Sequence, residues 1–129
     1  MICTALYVVD VNDLLNKFPP KHECVYGDHS TIAFNPRDGI SAIVIGNRYL
    51  LKIVGRVVND IGDALIVENP KSENAFPHIT VSCKKGVDPY YSNELIKEAK
   101  ESNLIEYFDT PIFIDVVEGY FDGEKEYRG

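Results

Sequence analysis

Cysteine is scarce and poorly spaced for chemistry. The chain has three, Cys3, Cys24 and Cys83. None stands at metal-ligand spacing from another, and an odd count cannot form a fully paired disulfide set. This argues against zinc modules and disulfide scaffolds, and leaves reduced thiols in a cytoplasmic setting (host cytoplasm if the source is viral) as the expectation. Positive charge is also short, with 13 Lys and Arg against 20 Asp and Glu and a formal net charge of −7. A surface that tracks long or duplex nucleic acid needs clustered cations. That partner class is therefore not expected, although a local pocket for a single phosphate still fits. No apolar run approaches the roughly 20 residues that cross a membrane, so no membrane partner is expected. Met1 to Val11 lacks a basic start and meets Asp10 early, which predicts no signal peptide. Histidine, too, is rare: His22, His29 and His78 are all there are.

Two of those three histidines occupy equivalent places in a repeat. His29-Ser30-Thr31-Ile32-Ala33-Phe34 and His78-Ile79-Thr80-Val81-Ser82-Cys83 both read His, any residue, Thr, apolar. Their β-branched and aromatic content predicts strands. Residues two apart on a strand share a face, so His29 should project with Thr31 and His78 with Thr80. Two imidazoles can pass protons in opposite directions near neutral pH, one taking and one giving. Two hydroxyls can donate hydrogen bonds to phosphate oxygens. The pattern points to phosphodiester cleavage with no metal and no cofactor. The simpler reading of either motif alone is an imidazole that opens a buried strand and is satisfied by a carbonyl. Recurrence of the whole motif favours chemistry.

The pair resembles the signature of the 2H phosphoesterase superfamily, defined by two His-x-Thr/Ser motifs. Val25-Tyr26-Gly27-Asp28 leads into the first motif and Asn74-Ala75-Phe76-Pro77 into the second. Gly86-Val87-Asp88-Pro89-Tyr90-Tyr91-Ser92-Asn93 follows downstream. This arrangement resembles the small cyclic phosphodiesterase branch related to the phosphodiesterase domain of tRNA ligases. The resemblance implies a bilobal α+β fold, two antiparallel-sheet lobes with flanking helices around a central groove. It also implies that His29, Thr31, His78 and Thr80 line that groove as the catalytic set.

The rest of the chain fits one domain over residues 1–129. Ala5 to Val11 reads as a buried strand. Asn12 is expected to cap a short helix over Asp13 to Phe18, stopped by Pro19-Pro20. Ala42 to Ile45, Tyr49 to Val58 and Ala64 to Glu68 are strand-like, with a hairpin turn at Ile61-Gly62-Asp63. Ser92 or Asn93 should cap a helix from Glu94 to Ser102, and Pro111 to Phe121 reads as a last strand. Strands and helices do not strictly alternate, so α+β fits better than a doubly wound sheet.

Tyr26, Phe34, Tyr90 and Tyr91 are candidates for stacking on a base; the alternative for each is ordinary core or surface packing, which is the better reading for Phe34. Ser92 and Asn93 could act as caps, as pocket donors or as both. Lys84, with Lys85, would form a cationic lip for phosphate, although a solvated strand end is the simpler reading. His22 lies outside the motifs and carries no assigned role. The leading expectation is an enzyme, a phosphoric diester hydrolase acting on a 2′,3′-cyclic phosphate or a short oligonucleotide. Its partner would be a small nucleotide or an RNA terminus, and a monomer is favoured. One alternative keeps the chemistry but directs it at cyclic oligonucleotide immune messengers, as in some phage-encoded members. Another is a non-catalytic module that holds a nucleotide or RNA end.

Overall fold

The computed structural model describes all residues from Met1 to Gly129. Eight strands and two helices follow one another along the chain: β1 (Cys3–Val8), α1 (Val11–Lys17), β2 (Cys24–Val25), β3 (His29–Phe34), β4 (Arg48–Val58), β5 (Gly62–Glu68), β6 (His78–Cys83), α2 (Tyr91–Glu101), β7 (Glu106–Phe121) and β8 (Glu126–Tyr127). The strands form one sheet in the order β2-β6-β5-β4-β7-β1-β3, with β8 added on β7. Every pairing is antiparallel. The α+β class holds, built on a single continuous sheet.

That sheet curls until its ends approach. Tyr26 and Gly27 donate backbone N–H bonds to Val81 and Thr80 of β6, while Asp28 accepts one from Val8 of β1. The short segment between β2 and β3 thus crosses from one edge of the sheet to the other. It carries the first motif strand toward the second.

Alternation along the strands places the core. Ile32, Ile79 and Val81 face inward with Leu6, Val8, Ile53, Leu65 and Val116. A β-bulge between Ile53 and Gly55 shifts the register of β4, and Val57 then joins a second cluster with Ala64, Leu95, Ile96 and Ala99. Strand β5 is covered on both faces, which explains its nearly unbroken apolar run. Leu65 is fully buried, and Leu65→Ala should cost about 2–5 kcal/mol.

Several local expectations shift. Helix α1 starts two residues earlier than expected because Asp10, not Asn12, is its cap and accepts from the Asp13 N–H. Helix α2 begins at Tyr91 and has no side-chain cap, so neither Ser92 nor Asn93 serves there. Residues 42–45 form turns instead of a strand, tied down where the buried Glu118 carboxylate accepts the Val44 N–H. The two-residue strands β2 and β8 are too short for alternation to reveal. Strand β7 reaches back to Glu106 because its start pairs with Gly55 and Arg56. Gly62 is required by packing, since a Cβ there would meet the Tyr91 ring at 2.9 Å.

Candidate active site

The curl leaves a groove of about 540 Å³ between β3 and β6, and His29, Thr31, His78 and Thr80 all line it. The strand period explains this placement. In each motif the His and Thr lie on the groove side, while Ile32 in one, and Ile79 and Val81 in the other, enter the core. Cys3, Ala33, Phe34, Glu73, Asn74, Pro89, Tyr90 and Asn93 complete the lining.

The two imidazoles are held differently. His29 Nδ1 donates to the Asp28 carboxylate at 2.9 Å. Nδ1 of His78 donates to the Phe76 carbonyl at 2.7 Å. In both rings Nε2 is the nitrogen left for a ligand. The hydrogen bond from His29 holds the Asp28 carboxyl below the usual carboxylate range, so it is ionised at neutral pH. Burial pushes the His78 imidazole below its ordinary value, and the nearby His29 adds to the same direction. His78 is therefore neutral at pH 7, with its Nε2 lone pair available. Behind His29 lies the Tyr7 ring, 6.1 Å between centroids, and Arg128 from the C-terminal tail covers that ring at 4.4 Å.

The threonines are unequal too. Thr80 Oγ1 lies 2.7 Å from Ser92 Oγ, and 3.3 Å from the Pro89 carbonyl. If Ser92 donates to Thr80, the Thr80 proton needs only to leave a long bond to Pro89 to reach a ligand. Ser92 thus supports the site through Thr80 and does not itself line the groove. Thr31 has the Cys3 thiol as its side-chain partner, and burial raises that thiol, keeping it neutral. The first part of the loop after β5 is fastened to β3. Asn69 Nδ2 donates to Ser30 Oγ, Ser72 Oγ to the Thr31 carbonyl, and the Glu73 N–H to the Ile32 carbonyl. These bonds fix Glu73 and Asn74 at the groove rim.

Among the other sequence candidates, Tyr90 and Asn93 line the groove. Tyr91 does not, because its ring packs on Gly62 and its hydroxyl accepts from Asn59 Nδ2. Tyr26 is half-buried beside the end of β6 and lies outside the lining. Lys84 sits four residues past Thr80, roughly 13 Å along the strand direction, exposed and away from the groove. No Lys or Arg lines the groove, so the cationic lip expected from Lys84 is not formed there. His22 Nε2 donates to the Asn59 and Gly62 carbonyls and pins the β4–β5 turn.

Sequence reasoning did not single out Asp28, Asn74, Glu73 or Cys3 as site residues, and of its four stacking candidates it favoured ordinary packing for Phe34. Phe34 is instead 67% exposed and lines the groove. Adjacency to a motif histidine was the one available signal for Asp28. No group of three or more His, Cys, Asp or Glu side chains is placed to hold a metal ion. No helix is long and apolar enough to cross a membrane. A scan against protein-family models finds no match, and searches of curated proteins and of solved structures return none.

Proposed function

We propose that the chain is a phosphodiesterase of the 2H type, acting on a 2′,3′-cyclic phosphate or a short oligonucleotide through paired-histidine acid/base catalysis. The supporting observation is convergence. Two His-x-Thr pairs 49 positions apart in the sequence meet across one groove, each with a free Nε2. In this reading the two halves of the curled sheet act as two lobes, one bearing β3 and the other β6.

The unequal partners suggest a division of labour. His78, neutral and desolvated, takes the proton of the attacking oxygen at Nε2. His29, whose Nδ1 is held by the ionised Asp28 carboxylate, gives an Nε2 proton to the leaving ribose oxygen. When a ribose 2′-hydroxyl attacks, the O2′–P bond forms, the P–O5′ bond breaks and a 2′,3′-cyclic phosphate results. When water attacks that cyclic ester, one ring P–O bond opens and the same two nitrogens move the protons. Thr31 and Thr80 donate to the non-bridging oxygens as charge shifts onto them.

The test is turnover of nucleoside 2′,3′-cyclic phosphates and ribodinucleotides in EDTA by the wild-type protein and by His29→Ala and His78→Ala. Turnover that both substitutions abolish supports the proposal. Turnover that survives either one removes that residue from the mechanism.

A further inference from the structure

We infer that the groove holds an internal phosphodiester with a nucleobase on each side, one stacked on Phe34 and the other on Tyr90. This inference rests on the phosphodiesterase reading above and narrows its substrate to a dinucleoside unit within a short oligonucleotide.

Exposure comes first. Phe34 is 67% and Tyr90 76% exposed, although both line a concave site. Bare aromatic rings there are unexplained by core packing and suit base stacking, which every base permits. Position comes second. The Gly27 N–H bond to the Thr80 carbonyl sets the chain entering β3 opposite β6. From there β3 runs away from Thr80 toward the rim loop, where Ser72 and Glu73 bond the Thr31 and Ile32 carbonyls. Phe34, two residues further on, lies at that rim-loop end. Tyr90 lies at the Thr80 end, held by the Thr80 bond to Pro89 and by the Tyr90 N–H bond to the Asp88 carboxylate. His29 opens β3 at the Thr80 end, His78 opens β6 just after the rim loop, and both line the groove with the two rings.

Each ring also has a matching amide. Asn74 follows Glu73 on the rim loop at the Phe34 end, and Asn93 stands on the first turn of α2 beside Tyr90. A carboxamide offers two donors and an acceptor, enough to meet a base edge. Two ring-and-amide subsites at the two ends of one groove that also holds both histidines fit a phosphate that joins two nucleosides. A mononucleotide cyclic phosphate would leave one of them empty.

For such a substrate the 2′-hydroxyl proton passes to His78 Nε2 as O2′ bonds to phosphorus. The P–O5′ bond then breaks as His29 protonates O5′. One product keeps the first base as a 2′,3′-cyclic phosphate, and the other leaves as a 5′-hydroxyl nucleoside.

The test measures binding separately from turnover. The first ligand is a 2′-deoxydinucleoside monophosphate, which lacks the attacking hydroxyl. The second is a 2′-deoxynucleoside 3′-(methyl phosphate), which carries one base. Phe34→Ala and Tyr90→Ala should each weaken the dinucleotide about tenfold or more. Only one of the two should weaken the methyl ester. Phe34→Tyr and Tyr90→Phe should restore binding, since the stacking face is kept. The inference is overturned if wild-type protein does not bind the dinucleotide, if either alanine variant leaves its affinity unchanged, or if both weaken the one-base ligand equally. Ribodinucleotide turnover reports the enzymatic reading independently. Binding that needs both rings without turnover removes the phosphodiesterase and keeps the two-base groove. Turnover indifferent to both rings does the reverse.

Discussion

The two motif strands share a sequence pattern and differ in what surrounds them. In β3, His29 leans on a carboxylate and is about two-fifths exposed, as is Asp28. In β6, His78 leans on a carbonyl and is desolvated. Thr31 has only the Cys3 thiol near its hydroxyl, whereas Thr80 belongs to a hydroxyl pair with Ser92. A repeated motif fixes which side chains meet; the neighbours decide how each is held. The ionised Asp28 carboxylate accepts from His29, and burial favours the neutral ring of His78. The repeat thus positions two similar groups, and the asymmetry around them is what the proposed division into acid and base rests on.

The largest effect should come from removing either partner. His29→Ala and His78→Ala should each lower kcat/KM by roughly 10²–10⁴. Their thermal midpoints should stay close to wild type, because both side chains line the groove and not the core. A variant that unfolds would show that its histidine serves the fold instead.

The next prediction targets the asymmetry. Asp28→Asn should cost about tenfold or more in kcat while leaving KM nearly unchanged, because Asp28 orients a ring without touching substrate. The loss should stay below the roughly 10⁴ that follows loss of a buried triad carboxylate, since Asp28 is partly solvated. Phe76 offers His78 only a backbone carbonyl, so no side-chain substitution has a matching effect on that half. An Asp28→Asn protein with unchanged kcat would erase the proposed difference between the halves.

A pH profile sharpens the same contrast. Burial disfavours protonated His78, so the neutral base persists as pH falls. The acid limb of kcat/KM should therefore lie below the ordinary histidine value of about 6.5. The same direction has a stability consequence. The unfolded chain binds a proton at His78 more readily than the folded one, so stability present above about pH 6.5 declines as pH falls through the folded value. His78→Gln should remove that part of the decline in a denaturation series. An acid limb above 6.5 would contradict the assignment of His78 as base.

The smallest effects belong to the threonines. Thr31→Ala and Thr80→Ala should each lower kcat/KM less than loss of either histidine. Thr80→Ala should be the costlier of the two, because it also leaves Ser92 Oγ without its partner. Equal losses would mean that Ser92 contributes nothing through Thr80.

Much of this site was legible in the chain because strand alternation is a strong rule. His-x-Thr followed by an apolar residue puts two polar groups on one face and a core residue on the other, and both copies obey it. The α+β class could be read from element order for a similar reason. Long-range geometry was not legible. Nothing local in Phe34 shows that β3 ends beside an open rim, and apolar character alone argues for burial. Tyr91 and Tyr90 are adjacent and chemically alike, yet the start of α2 sends one ring against Gly62 and the other into the groove. The cap at Asp10 displaced Asn12 because two neighbouring residues could each cap, and only the chain path selects one. Lys84 was misleading for a simple reason of length, since strand rise carries it past the groove.

The most direct test of the paired-histidine account is a product-resolved assay in EDTA. Wild-type protein and the His29→Ala, His78→Ala double variant would be incubated with 2′,3′-cyclic mononucleotides, RNA with a cyclic end, 2′-5′ and 3′-5′ ribodinucleotides, and cyclic di- and trinucleotides. Products would be separated by mass and phosphate position. The account predicts turnover of at least one short substrate by wild type, giving cyclic or 2′- or 3′-phosphate products, and none by the double variant. No turnover of any substrate by folded wild-type protein, turnover only after a divalent metal is added, or undiminished turnover by the double variant would contradict it.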